Sequence, residues 1–161
     1  MLRLLALSAL LLGAGCTSEP PAPTPEQEAV FAEDVDVELV VVTARNAMRY
    51  ETTRVEAPAG ATVRLVVDNR TTTSPSMLHN AVVLQPTADV DAIGREAAGL
   101  ADFVPDLPEV LAATPIAPPG GRTAVVFTMP PPGVYPFVCT YPGHYQFMRG
   151  ELVSTPREAG S

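Results

Sequence analysis

The stretch GVYPFVCTYPGHYQFMRGELVS, residues 133–154, holds two predicted strands and a connection that carries a thiol, an imidazole and a thioether. The two strands cover residues 133–139 and 149–154, and the turn PPPG precedes the first of them. A rigid β-scaffold commonly presents its binding residues on such a connection. We therefore expect this part of the chain to define both the fold and the site.

Further strand patterns lie upstream. From residue 34, apolar and acidic side chains alternate strictly, as in a half-buried strand. Turn signals recur at the short spacing of an antiparallel sandwich or barrel, so we predict an all-β domain of about eight strands. One helix is predicted over residues 89–100, where apolar residues share a helical face. The other predicted strands cover 48–56, 63–68, 78–85, 122–129 and, inside the proline-rich loop 101–121, the short segment 109–113. In the strand 63–68, Val63, Leu65 and Val67 should face inward, whereas Arg64 and Asp68 should face outward.

The bulk composition fits one folded domain with a short appendage. The chain has 161 residues, of which 47% are hydrophobic and 17% charged, and its 18 Pro and 11 Gly favour turns over helices. Its ten basic residues are all Arg, and 18 acidic residues give a formal net charge of −8 at pH 7. This acidic balance argues against a nucleic-acid partner.

The N-terminal segment MLRLLALSALLLGAGC predicts export. One Arg precedes an apolar run that is shorter than the roughly 20 residues needed to span a bilayer. The small residues before Cys16 resemble a bacterial lipoprotein signal, in which residues 1–15 are removed and Cys16 becomes the lipidated N-terminus, although Gly13 stands where that signal usually has Leu. A plainly cleaved signal peptide and a retained anchor are the alternatives. We expect an exported protein on the periplasmic or cell-surface side, anchored to the membrane through Cys16.

Residues 16–33 are interpreted as a Pro/Glu-rich tether. Its segment TSEPPAPTPEQE, residues 17–28, has four Pro, three Glu and no large apolar residue, which is typical of an extended, solvated linker. A disulfide between Cys16 and Cys139 is the alternative to lipidation. The folded domain is predicted over 34–155, followed by a tail at 156–161.

Three candidate metal ligands lie on the connection between the last two strands. Cys139, His144 and Met148 offer a thiolate, an imidazole and a thioether, which suit copper, whereas calcium and magnesium require oxygen ligands. Blue copper sites place two His and one Cys in a plane with a long axial Met. The chain has only one other His, His79, at the head of the predicted strand 78–85.

The spacing of these residues resembles the azurin branch of the cupredoxins, which are small blue copper proteins. Four residues separate Cys from His and three separate His from Met, and an upstream His is followed by Asn. The motif CTYPGH differs from the common azurin-type CTFPGH by one aromatic residue, and MRG also corresponds. Plastocyanins place only two residues between the Cys and the His. The resemblance covers roughly residues 35–154 and implies a Greek-key β-sandwich or barrel, the cupredoxin fold.

The resemblance also implies the ligands and their neighbours. One type 1 copper ion would be bound strongly by His79, Cys139 and His144 and weakly, from an axial position, by Met148. Three further residues would assist: Asn80 by tying the ligand loops together, Tyr141 by a backbone N–H available to the Cys sulfur, and Leu78 by a weak axial carbonyl. In azurins a Gly stands where this chain has Leu78, and their N-terminal disulfide is missing here.

The expected function is electron transfer, and no enzyme activity is expected. A monomer would dock redox partners such as cytochromes or terminal reductases and oxidases on apolar side chains around His144, from Met77, Pro142 or Phe147. A copper storage or delivery lipoprotein with the same ligands is the alternative. A copper enzyme would need more His than the chain has, and a dinuclear copper site would need two Cys in the loop. A cysteine hydrolase would leave the Met and the His-Asn pair unexplained.

Overall fold

The computed structural model describes residues 22–157, and they form two β-sheets with a shared apolar core. The signal segment, Cys16, the first part of the tether and residues 158–161 lie outside the described residues. In chain order the elements are α1 (Pro25–Ala32), β1 (Val37–Val42), β2 (Arg54–Pro58), β3 (Thr62–Asp68), β4 (Val82–Leu84), α2 (Val90–Ala97), β5 (Val110–Ala113), β6 (Arg122–Thr128), β7 (Gly133–Val138), a 3-10 helix (His144–Gln146) and β8 (Arg149–Thr155).

The smaller sheet has the strand order β1-β3-β6 and the larger sheet the order β2-β8-β7-β4-β5. The prediction of an all-β fold with about eight strands is confirmed. The turn spacing is typical of an antiparallel sandwich, but two strand pairs are parallel: β1 with β3, and β2 with β8. Alternation of apolar and polar residues reveals a half-buried strand but not the direction of its neighbour.

The core lies between the sheets, where the inward side chains of both meet. Val63, Leu65 and Val67, predicted to face inward from β3, are fully buried there. Phe137 of β7 and Leu152 of β8 belong to the same apolar cluster. Full burial of such side chains contributes about 1.5–3 kcal/mol each.

The extended geometry predicted for residues 17–28 is wrong from Pro25 onward, because α1 begins there. The Thr24 hydroxyl accepts the Gln27 N–H at 3.3 Å, and Pro25 occupies the first helical turn. Both are helix-start signals, and Thr24-x-x-Gln27 is also the sequence pattern of a capping box. The proline-rich composition concealed this short local signal, so residues 22–157 contain two short α-helices instead of the one predicted.

Helix α1 closes the free edge of the smaller sheet. The Gln27 amide accepts the Ala124 N–H at 2.8 Å and donates to the Ala124 carbonyl at 3.4 Å, as a neighbouring strand would. Unpaired strand edges invite association with other chains. At Ala124, the helix therefore provides hydrogen-bond partners for both backbone groups on the free edge of β6.

Arg64 on β3 binds the end of the same helix. It was predicted to point outward into solvent, but only 8% of the residue is exposed. Its guanidinium donates to the carbonyls of Val30 and Glu33, and to the Glu38 carboxylate at 3.0 Å. Carbonyls at a helix C-terminus lack partners within the helix, so a cation there stabilises it. Between residues 22 and 157, neither helix is long and apolar enough to cross a membrane.

Helix α2 confirms the predicted helix and packs against the 3-10 helix that begins at His144. A β-carbon added at Gly94 would overlap the Tyr145 ring. We expect Gly94→Ala to lower the free energy of unfolding by about 1–3 kcal/mol, since overpacking outweighs the better helix propensity of Ala. Urea unfolding would measure this. Gly99→Ala is the matched control because its nearest neighbour would be the Glu96 carbonyl oxygen at 3.6 Å. Equal stability of the two variants would contradict the tight contact.

Candidate metal centre

The structure brings His79, Cys139 and His144 together, although the first two lie 60 positions apart in the sequence. The Cys139 Sγ lies 3.9 Å from Nδ1 of His79 and 3.6 Å from Nδ1 of His144. All three donor atoms lie within 4.8 Å of one another, and all three residues are buried. This spacing allows one sulfur and two nitrogens to bind a single metal ion.

Two strands of the larger sheet position His79 and Cys139. Val82 of β4 pairs with Val138 of β7, so the residues before β4 and after β7 lie at the same end of the sandwich. The backbone of His79 is also paired, because its carbonyl accepts the Ala117 N–H at 2.7 Å. The histidine therefore enters the site from an ordered bridge and not from a free loop.

The connection after Cys139 folds back on itself and places Met148 beside the cysteine. Gly143 has φ 81°, a left-handed conformation that favours glycine, and the 3-10 helix begins at the next residue. The His144 carbonyl accepts the Met148 N–H at 2.9 Å, and the Met148 carbonyl accepts the Cys139 N–H at 3.0 Å. The Met148 side chain is fully buried.

Asn80 links the two segments that carry the ligands. Its Oδ1 accepts the Thr140 N–H at 2.9 Å, and its Nδ2 donates to the Thr140 hydroxyl at 2.9 Å. The Thr140 hydroxyl in turn donates to the Phe103 carbonyl at 2.6 Å, while the Tyr50 hydroxyl donates to the Asn80 carbonyl. Sequence reasoning missed Thr140, Tyr50 and Phe103. Thr140 follows the cysteine directly, but nothing in the sequence indicates the partners of Tyr50 or Phe103.

Tyr141 and Leu78 flank the ligands. The Tyr141 ring packs edge-on against His144, with ring centroids 4.9 Å apart, and against Phe103 at 5.1 Å. Leu78 is half-buried directly before His79. An axial contact from the Leu78 carbonyl stays a prediction.

Burial keeps the site uncharged at neutral pH. It raises the pKa of the Cys139 thiol to about 11, and hydrogen bonds from the backbone N–H groups of Asn80 and Tyr141 partly offset this rise. Burial, with a smaller effect from His144, lowers the pKa of His79 to about 4, and burial also lowers the pKa of His144. Both imidazoles are therefore neutral and ready to bind metal, whereas the thiol must lose its proton.

Acid should destabilise the metal-free protein more than the copper-loaded protein. The folded chain holds the pKa of His79 at about 4, against 6.5 normally, so the unfolded chain takes up the proton first. The neutral, buried His79 therefore contributes fully to the free energy of unfolding above pH 6.5. This contribution falls by about 3 kcal/mol as the pH drops towards 4. Bound metal would keep the imidazole from protonating. Urea unfolding of both forms between pH 7 and 4 measures the difference, and equal losses would contradict this reasoning.

Apolar side chains surround the site at the surface. His144 is only 5% exposed, but Phe147 is 63% and Met48 42% exposed. These two side chains, with Arg49 and Gln146, line a shallow groove. Met48 was predicted to belong to the strand 48–56, but it is exposed in the loop between β1 and β2. Nothing in the sequence indicated that this loop lies beside the metal site. Of the other residues predicted for an apolar patch, Pro142 is exposed and Met77 half-buried.

Comparison with known proteins finds copper proteins of this kind. The model of the family "Copper binding proteins, plastocyanin/azurin family" matches residues 37–154. Auracyanin-B of Chloroflexus aurantiacus is 34% identical over 150 residues, which cover 89% of this chain and 57% of that protein. Azurin iso-2 of Methylomonas sp. strain J is 34% identical over 120 residues, or 69% of this chain and 92% of that one. The crystal structure of dithionite-reduced auracyanin from Roseiflexus castenholzii has a TM-score of 0.66 and 33% identity, and covers 74% of this chain and 97% of its own.

Proposed function

Because the chain belongs to the plastocyanin/azurin family of copper-binding proteins, we propose that it is a monomeric electron carrier and not an enzyme. His79, Cys139, His144 and Met148 are positioned to bind one type 1 copper ion. When bound, this ion supplies one-electron chemistry between Cu(I) and Cu(II). The observation that carries the proposal is the buried approach of one thiol sulfur to two imidazole Nδ1 atoms.

The protein's own residues would hold this geometry through a change of one electron. Asn80 and Thr140 fix the two ligand segments to each other, and backbone hydrogen bonds connect Cys139, His144 and Met148. Because the ligands are preorganised, they would move little when the oxidation state changes, and this favours fast electron transfer. The N–H groups that donate to the sulfur would tune the reduction potential.

Several observations support a carrier over a copper enzyme. Both His of the chain already lie beside Cys139, so no His is left for a second, substrate-binding copper. A related auracyanin was crystallised in its dithionite-reduced form. The exposed Phe147 next to the nearly buried His144 offers an apolar contact for redox partners such as cytochromes or terminal reductases and oxidases.

The proposal extends to an exported, lipid-anchored protein on the periplasmic or cell-surface side. Its support is the apolar N-terminal run that ends in small residues and Cys16. Because α1 packs on the domain, only residues 17–24 would separate the anchor from this helix, or about 25 Å in extended geometry. The protein would then stay close to the membrane surface.

Electron exchange and copper retention together test the carrier against the alternative of a storage or delivery protein. We expect the oxidised, copper-loaded protein to bleach rapidly with ascorbate, to recover its colour with an oxidant, and to keep its copper in excess EDTA. Repeated cycles followed by metal analysis would measure both properties. A protein that cycles poorly and surrenders its copper to the chelator would favour the delivery function.

A further inference from the structure

Four chain segments around the metal site carry no acidic residue, although the chain has 18 acidic residues and a net charge of −8. The segments lie together: the Thr43 hydroxyl donates to the Asn69 side chain, and the Asn69 amide donates to the carbonyls of Met77 and Ala117 at 2.9 Å. Ala117 pairs with His79. These segments are residues 43–50, 69–78, 114–121 and 139–148, and their only charged residues are Arg45, Arg49 and Arg70. The exposed Glu51 directly follows the first segment.

Two of these arginines are free to meet a partner. Arg70 is paired with Asp68 at 3.4 Å. Arg45 and Arg49 are exposed, and no carboxylate of residues 22–157 lies within ion-pair distance of either. Asp102 stands in the loop after α2, next to Phe103, which packs on Tyr141 and not on the groove.

The loop that carries both arginines is fixed beside the metal site. The Asn46 side chain accepts the N–H groups of Thr72 and Thr73 at 2.9 and 3.1 Å. At the other end of the loop, the Tyr50 hydroxyl donates to the carbonyl of Asn80, the neighbour of His79. Arg49 also lines the groove with Met48 and Phe147. Positive charge and apolar surface therefore share one ordered face.

We propose that Arg45 and Arg49 form a docking site for an acidic redox protein, one that carries Asp and Glu around its own electron-transfer centre. The inference rests on the electron-carrier function proposed above. Overall charge would repel such a partner, so a local positive face would both orient and accelerate the encounter. An anionic membrane surface fits less well, because recognition of such lipids typically uses clusters of about four to eight basic residues.

Small redox reagents of opposite charge test the local field. The reduced copper protein is mixed by stopped flow with the hexacyanoferrate(III) trianion or with the tris(phenanthroline)cobalt(III) trication. At about 0.1 M ionic strength only charges within about 10 Å act strongly. We expect Arg49→Gln to lower the rate of electron transfer to the anion about twofold and to raise the rate to the cation about twofold. The double variant Arg45→Gln/Arg49→Gln should change each rate about fourfold in the same directions. A shifted potential would instead move both rates in one direction.

Arg157→Gln is the matched control, since it changes the net charge equally but follows the far end of β8. Both of its rates should equal those of the wild type. If the Arg49 and Arg157 variants show the same rates with both reagents, the docking site is refuted while the carrier function stands. If the wild-type protein takes up no copper or exchanges no electrons, the carrier function itself fails.

An acidic and a basic cytochrome c, used as electron donors, test the class of partner. The double variant should slow only the acidic one, and added salt should slow that reaction in the wild type. The membrane alternative is tested with the Cys16→Ala protein and vesicles of phosphatidylglycerol or phosphatidylcholine. Binding to phosphatidylglycerol that the double variant loses, without any effect on the cytochromes, would overturn the proposal in favour of a lipid surface.

Discussion

Cys139→Ala should abolish the intense blue colour that we expect of the copper-loaded protein. That colour requires charge transfer from a thiolate to Cu(II), and the Cys139 sulfur lies 3.9 Å and 3.6 Å from the Nδ1 atoms of His79 and His144. Without it, two imidazoles and a thioether are left, which cannot give a blue site. Visible absorption after titration with Cu(II) would measure the loss.

The other cysteine of the chain provides the matched control. Cys16→Ala removes the proposed lipidation site and should leave the colour unchanged. Circular dichroism of both variants would show that each is folded. A blue Cys139→Ala protein would contradict the assignment of the ligand. A colourless wild-type protein whose colour appears only in Cys16→Ala would instead favour a disulfide between the two cysteines, because the substitution would free the Cys139 thiol.

Asn80→Ala should lower the free energy of unfolding of the metal-free protein by about 2–4 kcal/mol. The substitution removes two hydrogen bonds and leaves the buried Thr140 N–H without its acceptor, and an unsatisfied buried group costs about 1–3 kcal/mol by itself. Urea unfolding measures the change. Because Asn80 also joins the segments that carry His79 and Cys139, the absorption spectrum of the copper-loaded variant should shift as well.

Asn46→Gly separates the role of Asn80 from a general loss of loop hydrogen bonds. Asn46 also joins two loops through its side chain, but these bonds are exposed. Glycine suits its φ of 56°, so only the side-chain contacts are removed. We expect a loss of at most about 1 kcal/mol and an unchanged spectrum. Equal effects of the two substitutions would contradict a special role for Asn80.

The metal site was predictable from the sequence because its residue types are scarce. With two His in the chain and one Cys beyond residue 16, the spacing of Cys139, His144 and Met148 left His79 as the only further imidazole. Ligands that share one loop can be recognised from their spacing along the chain, and this spacing can be read directly from the sequence. The partners of Asn80 could not be found in this way, since Thr140 and Tyr50 meet it only after β4 and β7 have paired.

The fold was predictable where it depends on alternation along one strand. The inward residues of β3 are an example, and they are buried as expected. The prediction failed where a second element covers a surface. Arg64 alternates outward correctly, but α1 covers it, and the helix was missed because local capping at Thr24 outweighs the proline-rich composition. The parallel pairing of β1 with β3 depends on connections between strands and leaves no trace in either strand alone.

The visible and electron paramagnetic resonance spectra of the copper-loaded protein would show whether His79, Cys139, His144 and Met148 form a type 1 copper site. We expect one copper ion per chain, an intense blue band and the small hyperfine splitting of a type 1 site, since the Cys139 sulfur and the two imidazole nitrogens lie within 4.8 Å of one another. A colourless or pale protein with the spectrum of ordinary tetragonal Cu(II) would contradict it.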